Sequence, residues 1–514
     1  VAGYLPNLPE AVVAMLASTA IGAIWCACSP DYGVPACLDR LRQVEPKVLF
    51  AGDRYAYAGR DHALGPKVAE LARQLPGLKQ VVTVPYDGIA RAEAGSFAAF
   101  IARHAGAAPI YRQLPFEHPA LILFTSGTTG APKCVVHGAG GALLQMLKEQ
   151  ALHTDLGEND RLLSVTTTGW MVWNMMVGAL GVGATIVLYD GSALHPGVSQ
   201  LFDLVEQEQV TALRIVPKLI DEYRSHGLRP AASHRLDSLK CIMAGGAPLL
   251  PHHYRYVVDE IKADVHLLSP AGGTDIMGSL ATGSPICAVY PGEIQVRSLG
   301  MKVEVYDAAG RALTDQAGEL VCTQAFPSVP LRFWNDPDGE RLRAAYFSTY
   351  PNVWRHGDWA RITPRGGVVI EGRADATLNV NGVRIGTSEI YRALEAVPQV
   401  RDCAAVEHQG AAGTEIALFV TLAPGCQLGP ELAATLRAAI RQHATPRHVP
   451  NLIVAVPDLP RSSNGKVAEL AVRDALAGKE PPASGLLNPE ALPGLLACAR
   501  AAAASRAVQP NSTV

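Results

Sequence analysis

The sequence predicts an α/β fold in two parts. A large N-terminal α/β domain with a β-rich subdomain should span residues 1–371, and a small α+β domain residues 372–478. Three observations carry this expectation. The chain has 514 residues, too many for one ordinary core. Up to about residue 370, short apolar runs alternate with amphipathic helical patterns, the order of a largely parallel, doubly wound sheet, with a β texture from about 290. Beyond "VVIEGRAD" the pattern restarts as a compact helix–strand–strand–helix unit.

The strands of the large domain are read from "PKVLFAG", "GATIVLYDG", "LKCIMAGG" and "DVHLLSPAGG", each closing on glycine or polar residues. "GGALLQMLKEQALH" and "VSQLFDLVEQEQV" have the 3.6-residue period of helices between them. In such sheets ligands gather at the carboxyl ends of the strands. "MKVEVYDAAGRAL" and "GELVCTQ" then read as β-hairpin material. In the small domain, "TSEIYRALEAVPQV" and "PELAATLRAAIRQHA" read as helices, and "CAAVEHQ" and "EIALFVTLAPG" as strands. The Ala- and Pro-rich tail, residues 479–514, is expected to be peripheral.

Composition narrows the function classes. Hydrophobic residues make up 48% and charged residues 18%, a globular balance. A formal net charge of −3 gives no reason to expect nucleic acid or an anionic membrane as partner. The uncharged stretch 11–28, "AVVAMLASTAIGAIWCAC", approaches membrane-spanning length, but it lacks a basic flank and is rich in small residues. A buried helix followed by a strand is the better expectation. The 10 cysteines are scattered without zinc-like spacing, which suits a reducing cytoplasm. The chain opens on Val1 inside strand-like sequence, so a preceding N-terminal segment is expected.

One loop points to chemistry. "TSGTTGAPK", Thr125–Lys133, combines two glycines with four hydroxyls after an apolar strand. Glycines let backbone N–H groups approach an anion, and hydroxyls donate to phosphate oxygens. It departs from the G-x-x-x-x-G-K-[ST] pattern, because Ala131 and Pro132 separate the last glycine from Lys133.

At this loop the sequence resembles the adenylate-forming superfamily of acyl-CoA synthetases, luciferases and peptide-synthetase adenylation domains. The resemblance accumulates in order along the chain. "GGAPL" (Gly245–Leu249) resembles the adenine-binding turn, and "GGTD" (Gly272–Asp275) the Thr–acidic pair beside the phosphates and magnesium. "WRHGDWA" places Asp358 as the ribose-binding aspartate, "GRADATLNVNGVRIG" resembles the interdomain hinge, and "LPRSSNGKVAE" the motif ending in the catalytic lysine. Within the superfamily, "YLPNLPEAVVAMLASTAIGAIWCACSPD", "TTTGWMVWN" and "GATIVLYDG" look most like the acetoacetyl-CoA synthetase branch.

The resemblance implies the adenylate-forming fold with a mobile C-terminal domain. It also implies an ATP-dependent acid–thiol ligase with ATP, Mg²⁺ and CoA as cofactor and co-substrates, acetoacetate as the acid, and a place in lipid metabolism. ATP would be bound by Thr125, Ser126, Gly127, Thr128, Thr129, Gly130 and Lys133, by Gly246, Ala247 and Pro248, and by Asp358, Arg373 and Arg384. Lys466 would carry the adenylation chemistry with Thr274 and Asp275. The superfamily more often has glutamate at the acidic position, so the shorter Asp275 is expected to hold Mg²⁺ through water. Asp375 would be the hinge.

Trp170, Met171 and Val172 are expected either to wall the acyl pocket or to be simple core. Gly272, standing where acetate-specific relatives have a tryptophan, would open space for a larger acid. Ser29 and Arg60 are the expected CoA contacts. The alternatives are a synthetase for butyrate, propionate or 3-hydroxybutyrate, an enzyme loading a carrier protein, and an inactive homologue.

Overall fold

A computed structural model describes residues 1–508 apart from 90–92, 94, 126–131, 375–377, 381–382, 386, 411–412, 444–447, 463–464 and 480–485. The amino-terminal part is built on two parallel sheets. In the first, strands Cys26–Cys28, Ala2–Tyr4, Val48–Gly52 and Gln80–Val84 lie side by side in that order, all parallel. The stretch tested for membrane character divides into helix Pro9–Ala20 and strand Cys26–Cys28. Ala11, Val12, Ala14 and Met15 turn into the core, and among the described residues no helix is long and apolar enough to cross a membrane.

The second sheet orders Thr185–Val187, Arg161–Ser164, Ala212–Ile215, Cys241–Ala244 and His266–Leu268, again all parallel. These strands read as near-continuous apolar runs because both faces are covered. Two clusters cover them, one around Met146, Trp173 and Met176, the other around Phe202, Ile220 and Tyr223. From Arg161–Ser164 the chain first winds outward to Thr185–Val187, then crosses back to Ala212–Ile215 on the other side. That reversal opens a crevice at the carboxyl edge.

Helix Ala139–Lys148 continues into the wider turn Glu149–His153. The register change keeps Glu149 and Gln150 buried, where a plain helical continuation was expected. The β-rich part contains four antiparallel strands, Val303–Tyr306, Gly318–Cys322, Trp354–Ile362 and Val368–Arg373.

The carboxyl-terminal part is a three-stranded sheet of Val400–Gly410, Gly413–Leu422 and Leu452–Ala455. Side-chain alternation decides which helix packs where. Cys403, Ala405, Ile416 and Leu418 face helices Thr387–Leu394 and Pro430–His443, while Ala404, Val406, Ala417 and Phe419 face Glu469–Leu476.

The tail differs from expectation. Ala491–Val508 is a helix whose Leu495 is fully buried in the second of these clusters, with Leu492 and Ala499 also buried. Alanine-rich composition hid three anchoring positions at helical spacing.

Candidate active site

The parallel register of the second sheet puts the predicted motifs on one edge. "TTTGW" follows Arg161–Ser164, "GGAPL" follows Cys241–Ala244 and "SPAGGTD" follows His266–Leu268. Gly246 takes φ +94°, and a Cβ there would stand 3.7 Å from the indole of Trp170. The expected adenine turn and the expected acyl wall therefore meet. Gly246, Ala247 and Pro248 are exposed on the lip of the edge.

Trp170, Met171 and Val172 are half-buried at the start of helix Met171–Gly178, whereas Trp173 is fully buried and donates to Asn7 Oδ1 at 2.8 Å. The change in burial within four residues separates a cleft-side surface from core. Ser29 is buried, shares a short hydrogen bond with Thr167, and lies so near Gly169 that a Cβ there would meet Ser29 N at 2.5 Å. Arg60 stands elsewhere, exposed on the two-stranded ribbon Arg54–Tyr57 and Arg60–Ala63.

Gly272 has another physical role than the one read from its missing side chain. It lies in strand Ala271–Gly273, and a Cβ would meet Gly278 O at 2.1 Å and Ser279 Cα at 2.5 Å. The absent side chain permits a close backbone approach, and an indole could not be grafted onto this backbone.

Behind that strand, the Glu149 carboxylate accepts from Ser279 N at 2.6 Å and from Gln145 Nε2 at 2.8 Å. Thr274–Ile276 forms a single 3₁₀ turn, ended by Met277 at φ +49°. His137 holds the turn from below, its Nε2 lying 2.9 Å from Thr274 O. Burial pushes the His137 imidazole down to about 4, only partly opposed by that bond, so the ring is neutral near pH 7 and Nε2–H donates.

Asp275 is held by Tyr346, whose hydroxyl donates to Oδ1. Tyr346 stacks on Trp354 at 3.9 Å between ring centroids and 14° between planes. Lys133 Nζ lies over Tyr346 and the neighbouring Phe333, 5.2 Å and 5.6 Å from their ring centroids. Cation–π attraction thus ties the lysine of the glycine-rich loop to the ring that orients Asp275. Thr125 and Lys133 are paired across the two strands that carry the loop. Ser126, Gly127, Thr128, Thr129 and Gly130 lie outside the described residues.

Strand Trp354–Ile362 brings Asp358 directly opposite Arg373 in the antiparallel register. His356 Nδ1 accepts from Trp354 Nε1 at 3.3 Å, which leaves its proton on Nε2, 3.6 Å from Asp358 Oδ2. An ideal Cβ on Gly273 would lie 3.8 Å from Asp275 Oδ2 and 4.0 Å from His356 Cε1, so these side chains surround one small hollow. A hydrated magnesium fits this donor set: one carboxylate oxygen is fixed by Tyr346, and the other borders a space that a side chain at Gly273 would fill.

Arg384 lies on strand Val383–Ile385, and only backbone is described for Arg373 and Arg384. Asp375 is outside the described residues. Lys466 is exposed at the end of a tight turn in the carboxyl-terminal part.

Sequence reasoning missed Tyr346, His356 and His137. A lone tyrosine at the end of "ERLRAAY" has no local signature. For His356, its i, i+2 spacing to Asp358 on a strand was the available clue, and His137 had none.

A further polar cluster lies at the edge of the second sheet. Asp221 Oδ1 is 3.1 Å from Nε2 of both His252 and His253, a proximity that could suit a metal. The hydrogen-bond pattern accounts for the cluster without one. Leu250 N–H donates to His253 Nδ1 at 2.9 Å, so the His253 proton is on Nε2, where a metal would need a lone pair. His252 Nδ1 lies 2.9 Å from Glu395 Oε2, so both its nitrogens face carboxylates and both must donate. The two carboxylates favour the imidazolium form of His252, which bridges Asp221 and Glu395.

The AMP-binding enzyme family matches residues 1–327, and the AMP-binding enzyme C-terminal domain matches residues 389–466. The chain is 46% identical over 499 residues to an acetoacetyl-coenzyme A synthetase of Rhizobium meliloti (strain 1021), covering 96% of this chain and 76% of that one. An acetoacetyl-CoA synthetase of Mus musculus is 45% identical over 505 residues, with 96% and 75% covered. The solved acetoacetyl-CoA synthetase from Streptomyces lividans superposes with a TM-score of 0.91 at 42% identity, over 97% of this chain and 78% of that one. Placed beside motifs that converge on one sheet edge, these matches establish that the chain belongs to the acetoacetyl-CoA synthetase family of AMP-binding enzymes.

Proposed function

We propose that this protein is an AMP-forming ligase that activates acetoacetate with ATP and transfers the acyl group to CoA. The observation that carries the reading is the likeness to acetoacetyl-CoA synthetases, 42–46% identical over nearly the whole chain, in both bacteria and animals. In the first step a carboxylate oxygen of acetoacetate attacks the α-phosphorus of ATP. The bond to the β-phosphate bridging oxygen breaks, and pyrophosphate leaves. In the second, CoA thiolate attacks the acyl carbonyl and AMP departs.

Two anions meet in the first transition state, so fixed positive charge has the greatest value there. Lys466 supplies it. Lys133 and the glycine-rich loop hold the outer phosphates. Asp358 and Arg373 take the ribose side, Arg384 contacts phosphate in one arrangement of the chain, and Gly246–Pro248 take the adenine. Asp275, beside Thr274, would hold magnesium through water, and the ion would supply positive charge against the phosphates. The three half-buried residues Trp170, Met171 and Val172 border the acyl group, and Ser29 and Arg60 lie toward CoA.

Lys466 must withdraw before CoA attacks. The region after residue 372 turns as a unit about Asp375 to allow this. The ten free thiols suit a reducing cytoplasm.

AMP release, measured with ATP, Mg²⁺ and CoA across acetoacetate, acetate, butyrate and 3-hydroxybutyrate, tests the reading. Acetoacetate should give the highest kcat/KM. Faster turnover of acetate or butyrate would refute the substrate assignment.

A further inference from the structure

The chain beyond the matched family regions takes part in shaping the lysine loop. Arg461 and Val467 form an antiparallel bridge, Ser462 N donates to Lys466 O at 2.8 Å, and Gly465 N donates to Ser462 O at 2.8 Å. Gly465 takes φ +74°, a conformation that suits glycine at the tip. Lys466 therefore stands on the return limb of a tight hairpin. An isolated two-stranded hairpin is marginally stable in water.

A third strand arrives from the tail. Leu486 bridges Ser462 in antiparallel fashion, and Leu487 N donates to Arg461 O at 2.8 Å. Asn488 then closes the arrangement with one side chain. Its Oδ1 accepts from Arg461 N at 2.7 Å, while Nδ2 donates to Asp458 Oδ2 at 2.8 Å and to Leu459 O at 3.0 Å. Only an amide both accepts and donates in this way at the end of so short a side chain.

The helix Ala491–Val508 fixes Asn488 in place, because Leu495 is fully buried beside Leu459 and Val472. From the other side, Arg461 pairs with Asp402 and donates through Nη1 to Gly465 O at 3.0 Å.

We propose that Asn488 is a positioning residue for Lys466, and that the tail supplies the third strand and the amide cross-link that order the lysine hairpin for adenylation. The proposal rests on the reading of Lys466 as the adenylation lysine.

Acetoacetate-dependent ATP–pyrophosphate exchange, and thioester formation from supplied acyl-adenylate, separate the two steps. Asn488→Ala should lower exchange kcat about tenfold, as two partly buried hydrogen bonds and one exposed one are removed together. KM for ATP and acetoacetate should stay near wild type, as should the CoA step. Amide hydrogen exchange across residues 459–467 should quicken in the same variant. If Asn488→Ala does not fold, Asn488→Ser, which retains an oxygen at this position, goes through the same assays with a smaller loss expected.

Lys466→Ala, run in parallel, should slow exchange by about 10²–10³-fold. If it does so while a folded Asn488 variant keeps exchange within about twofold and leaves hydrogen exchange unchanged, the positioning role is overturned. If Lys466→Ala itself retains exchange, the lysine reading fails instead.

Discussion

In the cleft, Asp275 is held by Tyr346, Tyr346 is stacked on Trp354, and Lys133 lies over the same aromatic shelf. At the hairpin, Lys466 is exposed on a turn tied to Asp402, Asp458 and Asn488. The cleft fixes its groups through packing between distant segments. The hairpin fixes its backbone locally and carries its long side chain on an exposed turn. A binding site gains from rigidity, because ordering costs are met before the ligand arrives. On the proposed roles, a lysine that serves one half-reaction and clears the way for the next would gain from sitting on a small unit that moves whole.

Removing the hairpin lysine should have the largest effect. Lys466→Ala is expected to slow acyl-adenylate formation by about 10²–10³-fold, as when a transition-state charge partner is lost. Pyrophosphate exchange measures it, and a loss smaller than that of Lys133→Ala would break the division between the regions. Next in size, Tyr346→Phe frees Asp275 from its donor while keeping the stacked ring. It should lower kcat about tenfold and raise the magnesium concentration needed for half-maximal rate. A rise in KM for acetoacetate alone would place Tyr346 elsewhere in the mechanism.

Much of the cleft was legible because its chemistry sits in short motifs at strand ends. "GGAPL" and "GGTD" combine backbone geometry and functional groups within a few residues, and the alternation of strands and helices says which edge they share. Tyr346 was not legible, since its meaning lies in what Trp354 and Asp275 bring to it. Gly272 was misleading for a related reason: sequence gives the missing side chain but not the direction of its Cβ. Asn488 was hidden in a stretch whose composition reads as filler.

Lys133→Ala should cost less, about three- to tenfold in kcat/KM for ATP, because the loop's backbone and hydroxyls remain to hold phosphate. Inactivity of this variant at saturating ATP would make Lys133 the reacting lysine.

The smallest effect belongs to the bridge between the two matched regions. Burial pulls the His252 imidazolium down, but hydrogen bonds to Asp221 and Glu395 more than offset this, and its pKa is raised. Burial works against the Asp221 carboxylate too, yet His252 and His253 hold it well below the usual range. Burial dominates at His253, whose pKa is lowered despite Asp221. Arg224, 3.7 Å from Asp221, also faces the group and disfavours the imidazolium.

A raised histidine contributes stability fully below its ordinary pKa of about 6.5, and loses it as pH rises through the folded value. Wild-type Tm should therefore fall by about 1–2 °C more than that of His252→Gln between pH 6 and 9. Parallel Tm profiles for the two proteins would show that the imidazolium bridge contributes nothing.

The division between a cleft that binds and a hairpin that reacts is tested most directly by titrating ATP into Lys466→Ala in the presence of Mg²⁺. ATP should bind within about threefold of the wild-type Kd, a difference below 1 kcal/mol, while acyl-adenylate formation is lost. A Kd weakened in proportion to the lost rate would contradict the account, because Lys466 would then be part of the ground-state binding site.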